Sequence, residues 1–207
     1  MKVEHQTFKI LTDISPNGEK ELRLIEAAGR TCYKSTSGDF EKCKSFVRNI
    51  INNGHESVLE HSILTVRFIT SRSVTHQLVR HRLCAFSQES QRYCNYSKGK
   101  FDNEISFIPP VDLSEDEYPL WKMTCEKDEQ EYMRAIASGR TPESARAILP
   151  NCTKTEIVMT TNYREWRHIL KERTSKYADP NTKDLMKRLL AQLVLRIPVV
   201  FEDFNEV

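Results

Sequence analysis

Residues 62–70, SILTVRFIT, alternate polar and apolar side chains, with Leu64, Val66 and Phe68 on one side. A period of two sustained over that length suits a strand with one covered face. The period then changes at once. Ser71 or Ser73 can cap a helix running to about Arg82. A second such passage comes later, where the strand-like TEIVMTT gives way to NYREWRHILKER, with Asn162 and Glu165 placed as cap and box. A chain that passes directly from half-buried strands into helices must layer those helices on a sheet.

The remaining segments agree with that architecture. VEHQTFKIL reads as an opening strand broken by Ser15-Pro16-Asn17-Gly18, and GEKELRLIEAAGR as a helix. FEKCKSFVRNIINN carries Phe40, Cys43, Val47, Ile50 and Ile51 as an apolar stripe and ends at Gly54, a left-handed cap. FDNEISFIPP has strand character, residues 113–140 are charged and helical, and Thr141-Pro142 opens a further helix. Asp179-Pro180 begins the last helix, with Leu185, Leu189, Leu190, Leu193 and Val194 as core. The expectation is a single α+β domain over residues 1–207, its mixed or antiparallel sheet packed by helices.

Helical projection of residues 72–81 spreads Arg72, His76, Arg80, Ser73, Gln77 and His81 over about half the circumference. Val74, Leu78, Val79 and Thr75 take the packing side. A solvated basic face is one reading. The absence of Lys and Glu favours another, a surface for a planar or anionic ligand. Net charge is only +2, so anion recognition has to be local rather than a field over the whole surface. In residues 163–173, Trp166, Ile169 and Leu170 define an apolar side onto which Arg173 projects. A buried guanidinium needs either an internal carboxylate or an anionic ligand. Arg164 and His168 occupy another face.

Other chemistries find less support. Six scattered cysteines form no C-x-x-C pair and read as reduced thiols. His55 with His61, and His76 with His81, lack the partners of a metal site, so no metal is expected. Neither a Walker A sequence nor G-x-G-x-x-G occurs among six glycines. Ser90 has no nucleophile elbow around it. With no apolar run long enough for a span and no leader-like N-terminus, a cytoplasmic protein without membrane contact is expected. A nucleic-acid-binding module using the Arg/His helix with Tyr93 and Tyr96 is the alternative reading. The near-neutral charge weighs against it.

Arg80-His81-Arg82 followed by seven residues and Ser90 matches the R-H-R-x7-S signature of the flavin-dependent thymidylate synthases. GHESVLEH (54–61), SQESQRY, ARAILP (145–150) and NYREWRHILKER (162–173) resemble further blocks of that family, in order. Ala85, Gln88 and His168 depart from residues common in it. The resemblance implies that family's fold and a homotetramer with active sites at subunit interfaces, using FAD. It also implies conversion of dUMP to dTMP, with methylenetetrahydrofolate as carbon donor and NADPH as reductant of the flavin. By position, flavin contacts fall on His55, Ser57, Arg80, His81, Arg82, Gln88, Asn162, Arg164 and His168. Nucleotide contacts fall on Gln77, Arg80, Ser90, Arg92, Arg146 and Arg173. Arg173 is the implied catalytic group, stabilising charge on the uracil ring, and Ser90 a hydrogen-bonding group rather than a nucleophile. No nucleic-acid partner is implied.

Overall fold

The computed structural model describes residues 1–206. In chain order its strands and helices are β1 (Lys2–Val3), β2 (Thr7–Ile10), α1 (Glu19–Tyr33), α2 (Phe40–Asn52), β3 (Ile63–Ser71), α3 (Arg72–Leu78) and β4 (Ala85–Gln88). They continue with β5 (Ser106–Phe107), α4 (Tyr118–Ala137), α5 (Pro142–Ala145), β6 (Lys154–Asn162), α6 (Tyr163–Arg173), α7 (Pro180–Arg196) and α8 (Pro198–Phe201). A four-stranded sheet takes the order β2-β3-β6-β4, and β1 pairs with β5 in a second, smaller sheet. The fold is α+β, as expected, with parallel pairing at β1–β5 and an antiparallel bridge from Phe107 to Thr153.

The residues gather into two compact units. One comprises residues 1–8, 67–80 and 86–158; the other comprises 9–66, 81–85 and 159–207. In the first, Tyr96, Ile105, Phe107, Cys125, Tyr132 and Ala145 form the core. The charged stretch 113–140, whose purpose the sequence left open, supplies α4. This helix buries Cys125 and Tyr132, and its Glu129 accepts the Ile105 amide at 2.7 Å and pairs with the N-terminal ammonium at 2.8 Å.

In the second unit α1, α2, α6, α7 and α8 pack on one another, and Leu22, Ile25, Cys43, Val47, Trp166, Ile169, Leu185 and Leu189 are fully buried. The Trp166 indole N–H donates to the Leu64 carbonyl at 3.0 Å, fixing α6 to β3. Gly54 has φ +70°, the left-handed cap expected of it. Gly18 at φ +68° approaches Ile197 so closely that an added Cβ would lie 2.7 Å from a side-chain methyl.

Caps follow the sequence closely. Asp39, Ser71, Thr141, Asn162 and Asp179 each accept a backbone N–H from the first turn of their helix. Three expectations need correction. The opening strand is two short strands rather than one. Helix α3 stops at Leu78 instead of Arg82, because the Val79 and Arg80 amides close back on the Thr75 and Gln77 carbonyls. Val74, Thr75 and Val79 are β-branched, and the Thr75 hydroxyl bonds back to the Arg72 carbonyl, both of which weaken a short helix. Val79, placed by projection on the packing side, is exposed.

Candidate functional site

Once α3 has ended, Arg80-His81-Arg82 cannot present one helical face. Arg80 and Arg82 are exposed, whereas His81 turns inward and is 6% exposed. Its Nε2 accepts a hydrogen bond from Arg173 Nε at 3.0 Å, so this nitrogen carries the lone pair and the proton resides on Nδ1. The Glu165 carboxylate lies 3.6 Å from that Nδ1. Burial, reinforced by the Arg173 charge, pushes the His81 pKa down to about 4, which keeps the ring neutral near pH 7. Burial pushes the Glu165 carboxyl up. His168 stands edge-on to His81 with ring centroids 5.8 Å apart.

Arg173 is the last residue of α6, and its side chain is partly exposed rather than enclosed on the apolar stripe. The enclosed guanidinium of this helix is Arg167. It donates to Glu56 at 3.0 Å, to the Asp203 carboxylate at 2.8 and 2.6 Å, and to the Val200 carbonyl. Sequence periodicity missed it because its partners are 111 and 36 residues away along the chain.

Asn162, Arg164 and His168 line a groove of 690 Å³ along α6, together with Glu56, Glu60, Leu83 and Lys171 among others. Asn162 is there because it caps α6, accepting the Glu165 amide at 2.9 Å. Glu60 is matched by Arg164 at 2.6 Å and Glu56 by Arg167 at 3.0 Å, so those carboxylates do not give the groove a bare negative wall. Leu83 is 73% exposed on its rim. His55 and Ser57 line a different groove of 570 Å³, with Cys32, Phe46, Ile50 and Val58, that shares no residue with the first. Within the chain the expected flavin residues of this unit therefore divide between two surfaces. Gln88 belongs to the other unit, where its amide donates to Thr75 and Thr155 at 2.9 and 3.4 Å.

That unit holds Gln77, Arg80, Ser90, Arg92 and Arg146. Ser90 sits in a turn after β4, its hydroxyl accepting the Arg92 amide at 3.3 Å. Among the described residues no imidazole or carboxylate bonds to that hydroxyl. Arg92 pairs with Glu143 at 2.7 Å, tying the Ser90 loop to α5, which leads directly into the turn that carries Arg146. Sequence reading passed over Glu89. Its carboxylate accepts from the Tyr96 hydroxyl at 2.7 Å and pairs with Lys154 at 3.2 Å, while its amide bonds to the Glu156 carbonyl at 2.9 Å. Glu89 thereby anchors the loop at its root. A lone acid between Gln88 and Ser90 gave no periodic signal by which to find it.

His81, His168 and Glu172 place potential ligand atoms within 4.8 Å of one another. Arg173 already donates to His81 Nε2, so a cation there would face a guanidinium and an occupied lone pair.

Comparison with known proteins follows the same lines. Residues 12–199 match the family described as thymidylate synthase complementing protein. A flavin-dependent thymidylate synthase of Mycolicibacterium gilvum is 36% identical over 92% of this chain and 82% of its own length. One from Mycobacterium sp. strain KMS is 39% identical over 91% and 82%. Among solved structures, the UMP/dUMP methylase PolB from Streptomyces cacaoi bound with 5-Br dUMP superposes with a TM-score of 0.81. The match spans 100% of this chain and 97% of that one at 19% identity, a likeness of fold.

Proposed function

This chain belongs to the flavin-dependent thymidylate synthase family, whose enzymes convert dUMP to dTMP, and from that premise we propose how its own residues carry the reaction. FAD, when bound and reduced by NADPH, supplies the hydride, and methylenetetrahydrofolate supplies the carbon. The α6 groove fits such a group: it offers Arg164, Lys171 and His168 for a pyrophosphate and the Asn162 amide for a polar edge. His55 and Ser57 line a separate groove, which supports a homotetramer in which the flavin contacts are shared between subunits. Arg80, Arg82 and Gln88 complete the flavin set. A cytoplasmic location is part of the same proposal.

Carbon 5 of uracil becomes nucleophilic only when negative charge can develop on the ring. A guanidinium held at the ring edge stabilises that charge without having to reorganise. Arg173 takes this role, and the observation that carries it is its hydrogen bond to a buried, neutral His81. That bond fixes the orientation of the guanidinium through its Nε edge. Arg92 and Arg146 hold the nucleotide with its phosphate, and Gln77, Arg80 and Ser90 add hydrogen bonds. Replacing Arg173→Ala should abolish dTMP formation while the protein retains flavin absorbance. Turnover at the wild-type rate would overturn the assignment.

A further inference from the structure

The mechanism leaves six thiols unused, and two of them meet. Cys125 Sγ on α4 lies 3.7 Å from Cys152 Sγ, just ahead of β6, within one compact unit. The buried indole N–H of Trp121, one turn before Cys125, has no hydrogen-bond partner among the described residues. Contact with the Cys125 thiol moves the Cys152 pKa down. The same contact, with burial, moves the Cys125 pKa up. The other thiols with a shifted pKa move upward through burial, Cys43 to about 12 and Cys84 to about 11. Two thiols within van der Waals reach, one of them with its pKa moved down, make the arrangement of an oxidisable pair.

We propose that Cys152 and Cys125 form a peroxide-sensitive dithiol that closes reversibly to a disulfide and thereby weakens nucleotide binding. In the first step the Cys152 thiolate attacks hydrogen peroxide. An S–O bond forms, the O–O bond breaks, and hydroxide leaves and is protonated to water. In the second step the Cys125 sulfur attacks the Cys152 sulfur. The S–S bond forms, the S–O bond breaks, and a second water leaves with the Cys125 proton. Two thiols are oxidised by two electrons in all and one peroxide is reduced. A thiol-disulfide reductant reverses the step.

The consequence for binding rests on the nucleotide reading given above and on where Cys152 stands. The sulfurs must approach well inside their present separation to reach bonding distance. The segment that must move is tied to two nucleotide elements. Arg146 lies just upstream, and the Asn151 and Thr153 carbonyls accept the Ser73 and Arg72 amides at the start of α3, each at 3.0 Å. Helix α3 carries Gln77.

The test treats the flavin-loaded protein with hydrogen peroxide and follows peptide mapping and the KM for dUMP. The expected result is loss of two of the six free thiols, a cross-linked peptide joining Cys125 to Cys152, and a KM raised severalfold with kcat less affected. Thioredoxin or dithiothreitol should restore both. Cys152→Ser should abolish the cross-link, and Cys125→Ser should leave a sulfenic acid at Cys152 that a cyclic dione traps. Oxidation first at exposed Cys32, with Cys125 and Cys152 still reduced, would overturn the site. A cross-link without any change in KM would overturn its regulatory role. Reduced protein that fails to bind dUMP would instead count against the nucleotide reading, which the mapping leaves untouched.

Discussion

His81 is buried as a neutral ring, and that gives the fold a pH signature of definite sign. The unfolded imidazole takes up a proton near pH 6.5, while the native one resists it down to about pH 4. Between those values the unfolded state binds more protons, so stability falls as pH is lowered through the window, by up to about 3 kcal/mol. Glu165, with its carboxyl pushed up by burial, works in the other direction: its contribution is present at low pH and lost as pH rises through its folded pKa. Urea midpoints measured across pH 6.5 to 4 should fall toward acid, and His81→Asn should flatten the slope; an unchanged slope would show that another group titrates. Arg167 is predicted to matter to stability. Arg167→Ala leaves Glu56 and the Val200 carbonyl without their donor and should cost about 3 kcal/mol. Arg167→Lys keeps the charge but loses the fork to Asp203 and should recover only part of it. Denaturant unfolding of both variants checks the order.

Helix α6 carries both structure and candidate chemistry, and Asn162 separates the two. Its carboxamide oxygen caps the helix while the residue lines the groove. Asn162→Ala should lose about 1 kcal/mol of stability along with flavin affinity. Asn162→Asp should restore the cap but not the affinity, since it adds negative charge where an anionic cofactor is to bind; full recovery of both would remove Asn162 from the cofactor set. Elements of this kind were legible in the sequence because their signals are local. The alternation of Leu64, Val66 and Phe68 and the helix starts at Thr141, Asn162 and Asp179 all act within a few residues. Helix α3 was overextended because Arg80 and His81 satisfy helical spacing, whereas what stops the helix is its own weak turn chemistry. The true environment of His81 depends on Arg173, 92 residues away. No local pattern encodes that contact, nor the partners of Arg167. The Arg92–Glu143 pair and the Glu89–Tyr96–Lys154 anchor escaped for the same reason.

Across the whole molecule, function was readable because four blocks stand in order along a chain of ordinary composition. Their chemistry is local, because a net charge of only +2 leaves no field over the whole surface. Among the described residues no helix is long and apolar enough to cross a membrane. The proposed homotetramer accounts for the separation of His55 and Ser57 from the α6 groove. The central claim is that this chain makes dTMP from dUMP with a bound flavin. The most direct measurement is anaerobic: flavin absorbance of the purified protein is followed as NADPH is added, then dUMP and methylenetetrahydrofolate, with dTMP quantified at the end. The account predicts bleaching by NADPH, recovery of the oxidised spectrum on adding the two substrates, and dTMP equal to the flavin reoxidised. A protein that takes up no flavin, or whose reduced flavin is unaffected by dUMP and methylenetetrahydrofolate with no dTMP formed, would contradict it.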